Sequence, residues 1–304
     1  MQSFSEKVKT EISDYEDMDK AESLLILAFT LASEAIFRLD TITLKVKLED
    51  FAKLLNQALK SNFAFEFEVK ELKTVYELSL NSKKEVDQVK AALEEVLGFS
   101  SISAKISKSA TDFDQEERST LLRAAFLAAA SMANPLQSYQ IEFNLSRKSI
   151  SDFLEELLIA EDLEPLATKS PTHSILYLKE GDKIALFLAK IGAHKALLEF
   201  ENIRVKKRVN EEVNRAVNCD NANIQRIAES SARQINLINK LNEANAYGLL
   251  PNDLRELADL RLQYPGYSLK ELGELQEPSV SKSGMHHRFS KLEKWIRNYL
   301  NENQ

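Results

Sequence analysis

The residues whose types and spacing suit them to chemistry lie near the C-terminus: Lys282, Ser283, His286, His287, Arg288 and Lys291. Such side chains can hydrogen-bond to base edges and hold phosphate oxygens, the two tasks of a DNA-reading surface. Across residues 280–297 the charge balance is +4, with Lys282, Arg288, Lys291, Lys294 and Arg297 set against Glu293. Elsewhere the same residue types do not assemble into a centre. His173, His194, His286 and His287 show no H-E-x-x-H spacing, and there is no glycine-rich phosphate loop. Cys219 has no disulfide partner and no ligand spacing around it, so a buried thiol is expected. The residues therefore imply no catalytic group, no metal and no cofactor.

A base-reading surface needs a helix held rigidly from behind, and the flanking residues supply one. Ser268 and Glu271 form an S-x-x-E capping box, followed by Leu269, Leu272 and Leu275 as an apolar stripe. After Pro278, Ser281 can cap a second helix whose apolar residues Met285, Phe289, Leu292 and Ile296 share one face. The polar residues named above point away from that face, as in a recognition helix. With a supporting helix over residues 253–264, the segment reads as a helix-turn-helix.

Composition bounds the rest. A chain of 304 residues has room for two domains, and 44% hydrophobic with 29% charged residues is the balance of a globular protein. The longest early apolar run, residues 24–32, is too short for a bilayer and no signal segment precedes it, so a cytoplasmic chain without membrane contact is expected. The net charge of −7 is unevenly spread: residues 202–304 carry 16 Lys and Arg against 13 Asp and Glu, a balance of +3, whereas residues 1–201 carry −10. The C-terminal third is the phosphate-facing part.

Residues 3–15 read as an amphipathic helix with Phe4, Val8 and Ile12 on one face. The chain then repeats itself. Residues 24–33 (LLILAFTLAS) align with 121–130 (LLRAAFLAAA), and 42–48 (ITLKVKL) with 139–145 (YQIEFNL), both at an offset of 97. Each strand pattern precedes an amphipathic helix, then further strand-like stretches at 63–70 and 75–80 or at 175–178, and a helix ending at Gly98 or Gly192. Ala28, Ala32 and Ala35 in the first leading helix, and Ala125, Ala129 and Ser131 in or beside the second, would let the two approach closely.

Residues 204–246 should be helical, with a break near residues 218–223 and a hinge at 242–248. Arg204, Lys206, Lys207, Arg208 and Arg215 form a basic cluster there, expected as an auxiliary phosphate contact, with Arg226 and Arg233 beyond it. The expected division is 1–200 for the repeat domain, with repeats at about 20–99 and 118–199, then 201–247 for a helical linker and 248–304 for the helix-turn-helix domain.

Duplicated helix-strand-strand-helix units led by small-residue helices resemble the LAGLIDADG homing-endonuclease fold. More specifically, residues 191–205 (IGAHKALLEFENIRV), 214–223 (NRAVNCDNAN) and 254–292, which include SLKELGEL and VSKSGMHHRFSKL, are similar to the WhiA family of bacterial regulators. The likeness extends over essentially the whole chain, departing from the usual family pattern where RAAFLAAASM at residues 123–132 has alanines for glycines. It implies an α+β architecture: a duplicated, degenerate LAGLIDADG-like domain, a helical linker and an all-α helix-turn-helix domain. It also implies a nucleoid-associated, sequence-specific transcription regulator that binds double-stranded DNA and is linked to sporulation or to cell division and chromosome segregation. A protein partner such as a sigma factor or another regulator follows from the same resemblance. Alignment with the endonuclease motif places Ser33 and Ala130 at its acid positions, and pairs Glu34 with Ser131, so no carboxylate pair for Mg²⁺ is expected. Two other readings stand beside the regulator: a scaffold recruiting a protein through its N-terminal domain, and a metal-dependent endonuclease.

Overall fold

The computed structural model describes residues 2–13, 18–169 and 174–302. It divides into two compact units, Met1–Lys207 and Arg208–Gln304.

The first unit opens with α1 (Phe4–Ile12), capped by a Ser3/Glu6 box and burying Phe4, Val8 and Ile12 as the periodicity requires. The expected last residues of that helix, 14 and 15, lie outside the described residues. The first repeat then runs α2 (Lys20–Glu34), β1 (Ile36–Phe37), β2 (Ile42–Val46), α3 (Glu49–Phe63), β3 (Glu68–Glu71), β4 (Tyr76–Leu80) and α4 (Lys83–Leu97). A hairpin of β5 (Phe99–Ser100) and β6 (Lys105–Ile106) follows, then the second repeat: α5 (Gln115–Ala129), β7 (Ala130–Met132), β8 (Ile141–Leu145), α6 (Lys148–Ala160), β9 (Leu166–Lys169), β10 (Ser174–Leu178) and α7 (Gly181–Lys190). The antiparallel sheets have matching orders, β1-β2-β4-β3 and β7-β8-β10-β9. Gly98 and Gly192 take positive φ of 64° and 78° just past α4 and α7.

The offset of 97 is an average of two real offsets. Asp19 and Asp114 cap α2 and α5, both 15 residues long, which sets the leading helices 95 apart. Ile36 pairs with Thr43 and Ser131 with Glu142, so β1 and β7 keep 95 while β2 and β8 stand 99 apart. The turn between the strands is four residues longer in the second copy, and a gapless alignment splits the difference. The strand expected over residues 63–70 is Glu68–Glu71, because α3 runs through Phe63 and Ala64 then turns the chain with a φ of 61°.

α2 and α5 pack against each other, with Ala28, Ala32 and Ala125 fully buried, while Ala35 and Ser131 lie just beyond the helices. Around them one core takes side chains from both repeats, including Phe29, Phe126, Phe143 and Phe187.

α8 (His194–Glu243) has no break at residues 218–223. No Gly or Pro occurs between Gly192 and Gly248, and the asparagines there cost a helix under about 1 kcal/mol each. At its start the Glu11 carboxylate accepts the N–H groups of Lys195 and Ala196. Its middle, residues 208–226, is exposed on every side, which is why Cys219 is exposed and not the buried thiol expected.

In the second unit α8 supplies Ile238 and Leu241 to a core shared with Ala246 and Leu250, and with α9 (Asn252–Gln263), α10 (Leu269–Glu274) and α11 (Lys282–Glu302). The division between units therefore falls inside α8, not at 200/201 and 247/248, because the last turns of α8 bury their apolar face with α9 to α11.

Candidate nucleic-acid interface

α9, α10 and α11 build a three-helix platform. Ser268 and Glu271 cap α10 reciprocally, at 3.3 and 2.7 Å. The Ser281 hydroxyl accepts the Gly284 N–H at 3.2 Å at the start of α11. Met285, Phe289, Leu292 and Ile296 are all buried, as their spacing requires. Leu272 is buried, but Leu275 is 45% exposed: α10 ends before it, so the expected stripe turns out to solvent.

Two features hold the platform and neither is a periodic signal. Gly273 lets α10 approach the segment entering α11, since its carbonyl accepts the Val280 N–H and a Cβ there would stand 2.0 Å from the Val280 carbonyl oxygen. Arg261, 1% exposed, donates to Gln234 of α8 at 3.0 Å and to the Tyr267 carbonyl at 2.8 Å, and lies 5.2 Å from the Phe289 ring centre. Burial depresses its guanidinium below the usual range. One side chain thus ties together α8, α9, the turn into α10, and α11.

Opposite the buried face, at about 100° per residue, α11 presents Ser283, His287, Ser290 and Lys294, flanked by His286 on one side and Lys291 on the other; all are exposed. Ser290 and Lys294 complete a face that the helical period alone would have revealed. Two of the expected residues are engaged within the protein: Lys291 pairs with Asp253 of α9 at 3.0 Å, and Arg288 donates to the Gln276 side chain at 3.3 Å. Lys282 lies at the edge, lining a cleft with Arg226 of α8 and Lys270 of α10.

The basic cluster at the head of α8 is not one surface. Arg204, Arg208 and Arg215 share a side of the helix, whereas Lys206 and Lys207 point elsewhere by the same period. Arg204 is bound to Asp182 and Glu201, and Lys207 lies 4.8 Å from the Tyr139 ring centre.

In the first unit, the leading helices end beside a cleft of about 540 Å³ lined by Lys9, Glu34, Lys47 and Ala129. Of the two acid positions expected from the sequence, Ala130 lines this cleft and Ser33 does not. Ser33 is buried with its hydroxyl on the Thr30 carbonyl, and Ala130 already belongs to β7. The cleft-side helix ends carry Glu34 and, at the 95 offset, Ala129, not Ser131. Glu34 is the one carboxylate at those two helix ends; Glu6 of α1 and Glu142 of β8 also line the cleft, together with Lys9, Lys45 and Lys47. The Lys9 ammonium donates to the Leu127 carbonyl at 3.0 Å, and Arg147 donates to the carbonyls of Ala32 and Ala35. Burial raises the Glu34 carboxyl, against Arg147 and Lys9. This donor set does not fit a divalent pair, and among the described residues no cluster of three His, Cys, Asp or Glu could hold a metal ion.

Burial pushes Lys9 down to about 8, with Lys47 adding to the effect and Glu34 opposing it. The unfolded chain therefore binds more protons than the folded one between pH 8 and 10.5, and stability should rise with pH across that window. Thermal unfolding from pH 7 to 10 checks this: the rise belongs to the wild type and should vanish in Lys9→Met, which should be the more stable protein at pH 7. A window of equal slope in both proteins would remove Lys9 as its origin.

A helix-turn-helix platform with an exposed polar helix, following a duplicated helix-and-sheet unit, defines a class: a DNA-binding protein whose first unit is a LAGLIDADG-like fold. Comparison with known proteins gives the family. The WhiA LAGLIDADG-like domain matches residues 41–107 and 118–210, and the WhiA C-terminal HTH domain matches 213–296. This chain belongs to the WhiA family. It is 34% identical over 307 residues to a probable cell division protein WhiA of Clostridium acetobutylicum, and 36% identical over 314 residues to one from Clostridium perfringens, with 96% of each chain covered in both comparisons. The crystal structure of full-length DUF199/WhiA from Thermotoga maritima shares the fold, with a TM-score of 0.60 and 24% identity over 98% of this chain and 99% of that one. No helix among the described residues is long and apolar enough to cross a membrane.

Proposed function

We propose that the chain is a sequence-specific transcription regulator that reads double-stranded DNA with α11, acts on the nucleoid in the cytoplasm, and serves sporulation or cell division and chromosome segregation. The observation that carries this is the exposed face of Ser283, His287, Ser290 and Lys294, flanked by His286, on a helix whose other face is wholly buried. Relatives named as probable cell division proteins support the cellular role. Chromatin immunoprecipitation followed by band-shift titration tests it: recovered fragments should share a motif that the purified protein prefers over scrambled duplex. Fragments without a common motif, bound no better than scrambled DNA, would end the sequence-specific reading.

The first unit acts without cutting DNA. A phosphodiesterase of this fold needs two acids converging where the leading helices end, each holding a cation against the scissile phosphate. Glu34 faces Ala129 with Lys9 and Arg147 beside it. Incubation with supercoiled plasmid in Mg²⁺ or Mn²⁺ should leave the plasmid intact; cleavage that copurifies with the chain and disappears in Glu34→Ala would restore the nuclease.

A second role for this unit, recruiting a protein partner such as a sigma factor or another regulator, is favoured by its sheet surfaces. Strand pairing and alternation turn Ile36, Thr43, Ser79 and Glu68 outward in one row, and Ser131, Glu142, Tyr177 and Leu166 in its counterpart. Ile36 and Leu166 are 60% and 58% exposed, and Lys45 and Lys70 are offset by Glu68, Glu77 and Glu142. Mixed in polarity, with exposed Ile36 and Leu166 and no excess of cations, these surfaces suit a protein better than a phosphate backbone.

A further inference from the structure

α8 carries its arginines in a row. Within the second unit Arg208, Arg215, Arg226 and Arg233 follow one another at spacings of 7, 11 and 7, each a near-whole number of helical turns, so all four project from one side of the helix. From Arg208 to Arg226 the row spans about 27 Å at about 1.5 Å per residue, and all four are exposed. Arg208 and Arg226 make no ion pair in the described structure, Arg215 donates only to the Glu211 carbonyl of its own helix, and Arg233 is 3.9 Å from Glu293. Glu211, Glu212 and Glu229 lie within a turn of the row, but Arg208, Arg215 and Arg226 form no ion pair with them, which leaves three planar guanidinium groups free for phosphate.

The cleft shows what the row meets. Arg226 lines a space of about 580 Å³ together with Lys270 of α10 and Lys282, the first residue of α11. The acids of the cleft are already engaged: Glu271 caps α10 and Glu274 pairs with Lys270. Two unpaired cations, Arg226 and Lys282, and the Glu274-paired Lys270 therefore line one cleft beside the start of α11, at the place where the row passes it.

We infer that the arginine row of α8 is a track for the phosphate backbone of duplex DNA, joined at Arg226 to Lys270 and Lys282, so that Lys282 holds phosphate and does not read a base. The inference rests on α11 being the DNA-reading helix. It differs from the cluster expected from the sequence: Arg204 and Lys207 are engaged within the first unit, Lys206 lies off the row, and Arg226 becomes its centre.

The test uses the full chain, a duplex selected from a random pool by the wild-type protein, and a scrambled duplex of equal length, each titrated over a range of salt concentrations. Arg208→Ala/Arg215→Ala/Arg226→Ala should weaken binding to both duplexes by the same factor and leave their ratio unchanged. The slope of log K against log salt should become shallower by about 3, roughly 0.9 for each phosphate no longer neutralised. Arg226→Lys, which keeps the charge, should retain most of the single-residue effect on slope, and an unchanged melting temperature checks folding. If the wild type prefers its selected duplex yet the triple variant keeps the same affinity and slope, the row is a solvated face and the inference fails. If the wild type shows no preference between the duplexes, the reading of α11 fails, and the track inference with it.

Discussion

Phe289→Asp, and likewise Met285→Asp, should abolish the folding of the second unit while the first stays folded. Phe289 is 1% exposed and Met285 fully buried, in a core of about a dozen residues shared by α8, α9, α10 and α11. A carboxylate at 285 loses its water among apolar side chains, and one at 289 replaces the ring that covers the Arg261 guanidinium. Losses above about 4 kcal/mol are expected from such a change, a large share of the stability of a unit under 100 residues. Calorimetry of the wild type should show two transitions, with only one surviving in the variant, and DNA binding should disappear. One shared transition, shifted as a whole, would show instead that the two units do not fold separately.

His286→Ala/His287→Ala should leave both units folded and remove most of the preference for the cognate sequence. Both side chains are exposed, away from the core of α11, and carry no bond that the fold needs. Removing one hydrogen-bonding group from a base edge costs about 1–3 kcal/mol, so two together should reduce specific affinity by about 30-fold to 10⁴-fold. Affinity for scrambled duplex and the salt slope should hardly change if both side chains contact base edges and not phosphate. Band-shift titration against both duplexes reads the difference. Equal loss on the two would move these histidines from recognition to general binding, and no loss on either would take α11 out of the interface.

Lys282 and Lys291 stand near those histidines in the sequence, and the fold adds neighbours from other elements to both. Lys291 meets Asp253, which is 38 residues earlier, and Lys282 joins Arg226 and Lys270 from two other helices. Similarly, Glu34 has Ala129 for its counterpart only because strand register fixes where the second repeat gained four residues. Arg261 gave no signal at all: in sequence it is one more charged residue on an exposed-looking helix, and only the packing of α8 against α9 and α11 makes it the largest side chain of the buried core.

What the sequence determined alone was local. Ser3, Asp19, Asp114, Ser268 and Ser281 cap the helices that follow them, because a side-chain oxygen and an N–H two or three residues on need nothing distant to meet. The 3.6-residue period placed Met285, Phe289, Leu292 and Ile296 inside and the polar residues outside for the same reason. Tertiary structure decided what depends on contacts between separate elements: that Gly273 must lack a side chain where the Val280 carbonyl approaches, that Leu275 falls past the end of its helix, and that Cys219 sits on bare α8. It also decided that Arg226 stands beside the start of α11. Burial and pairing of this kind are set by partners tens of residues away, which periodicity and capping within one element do not encode.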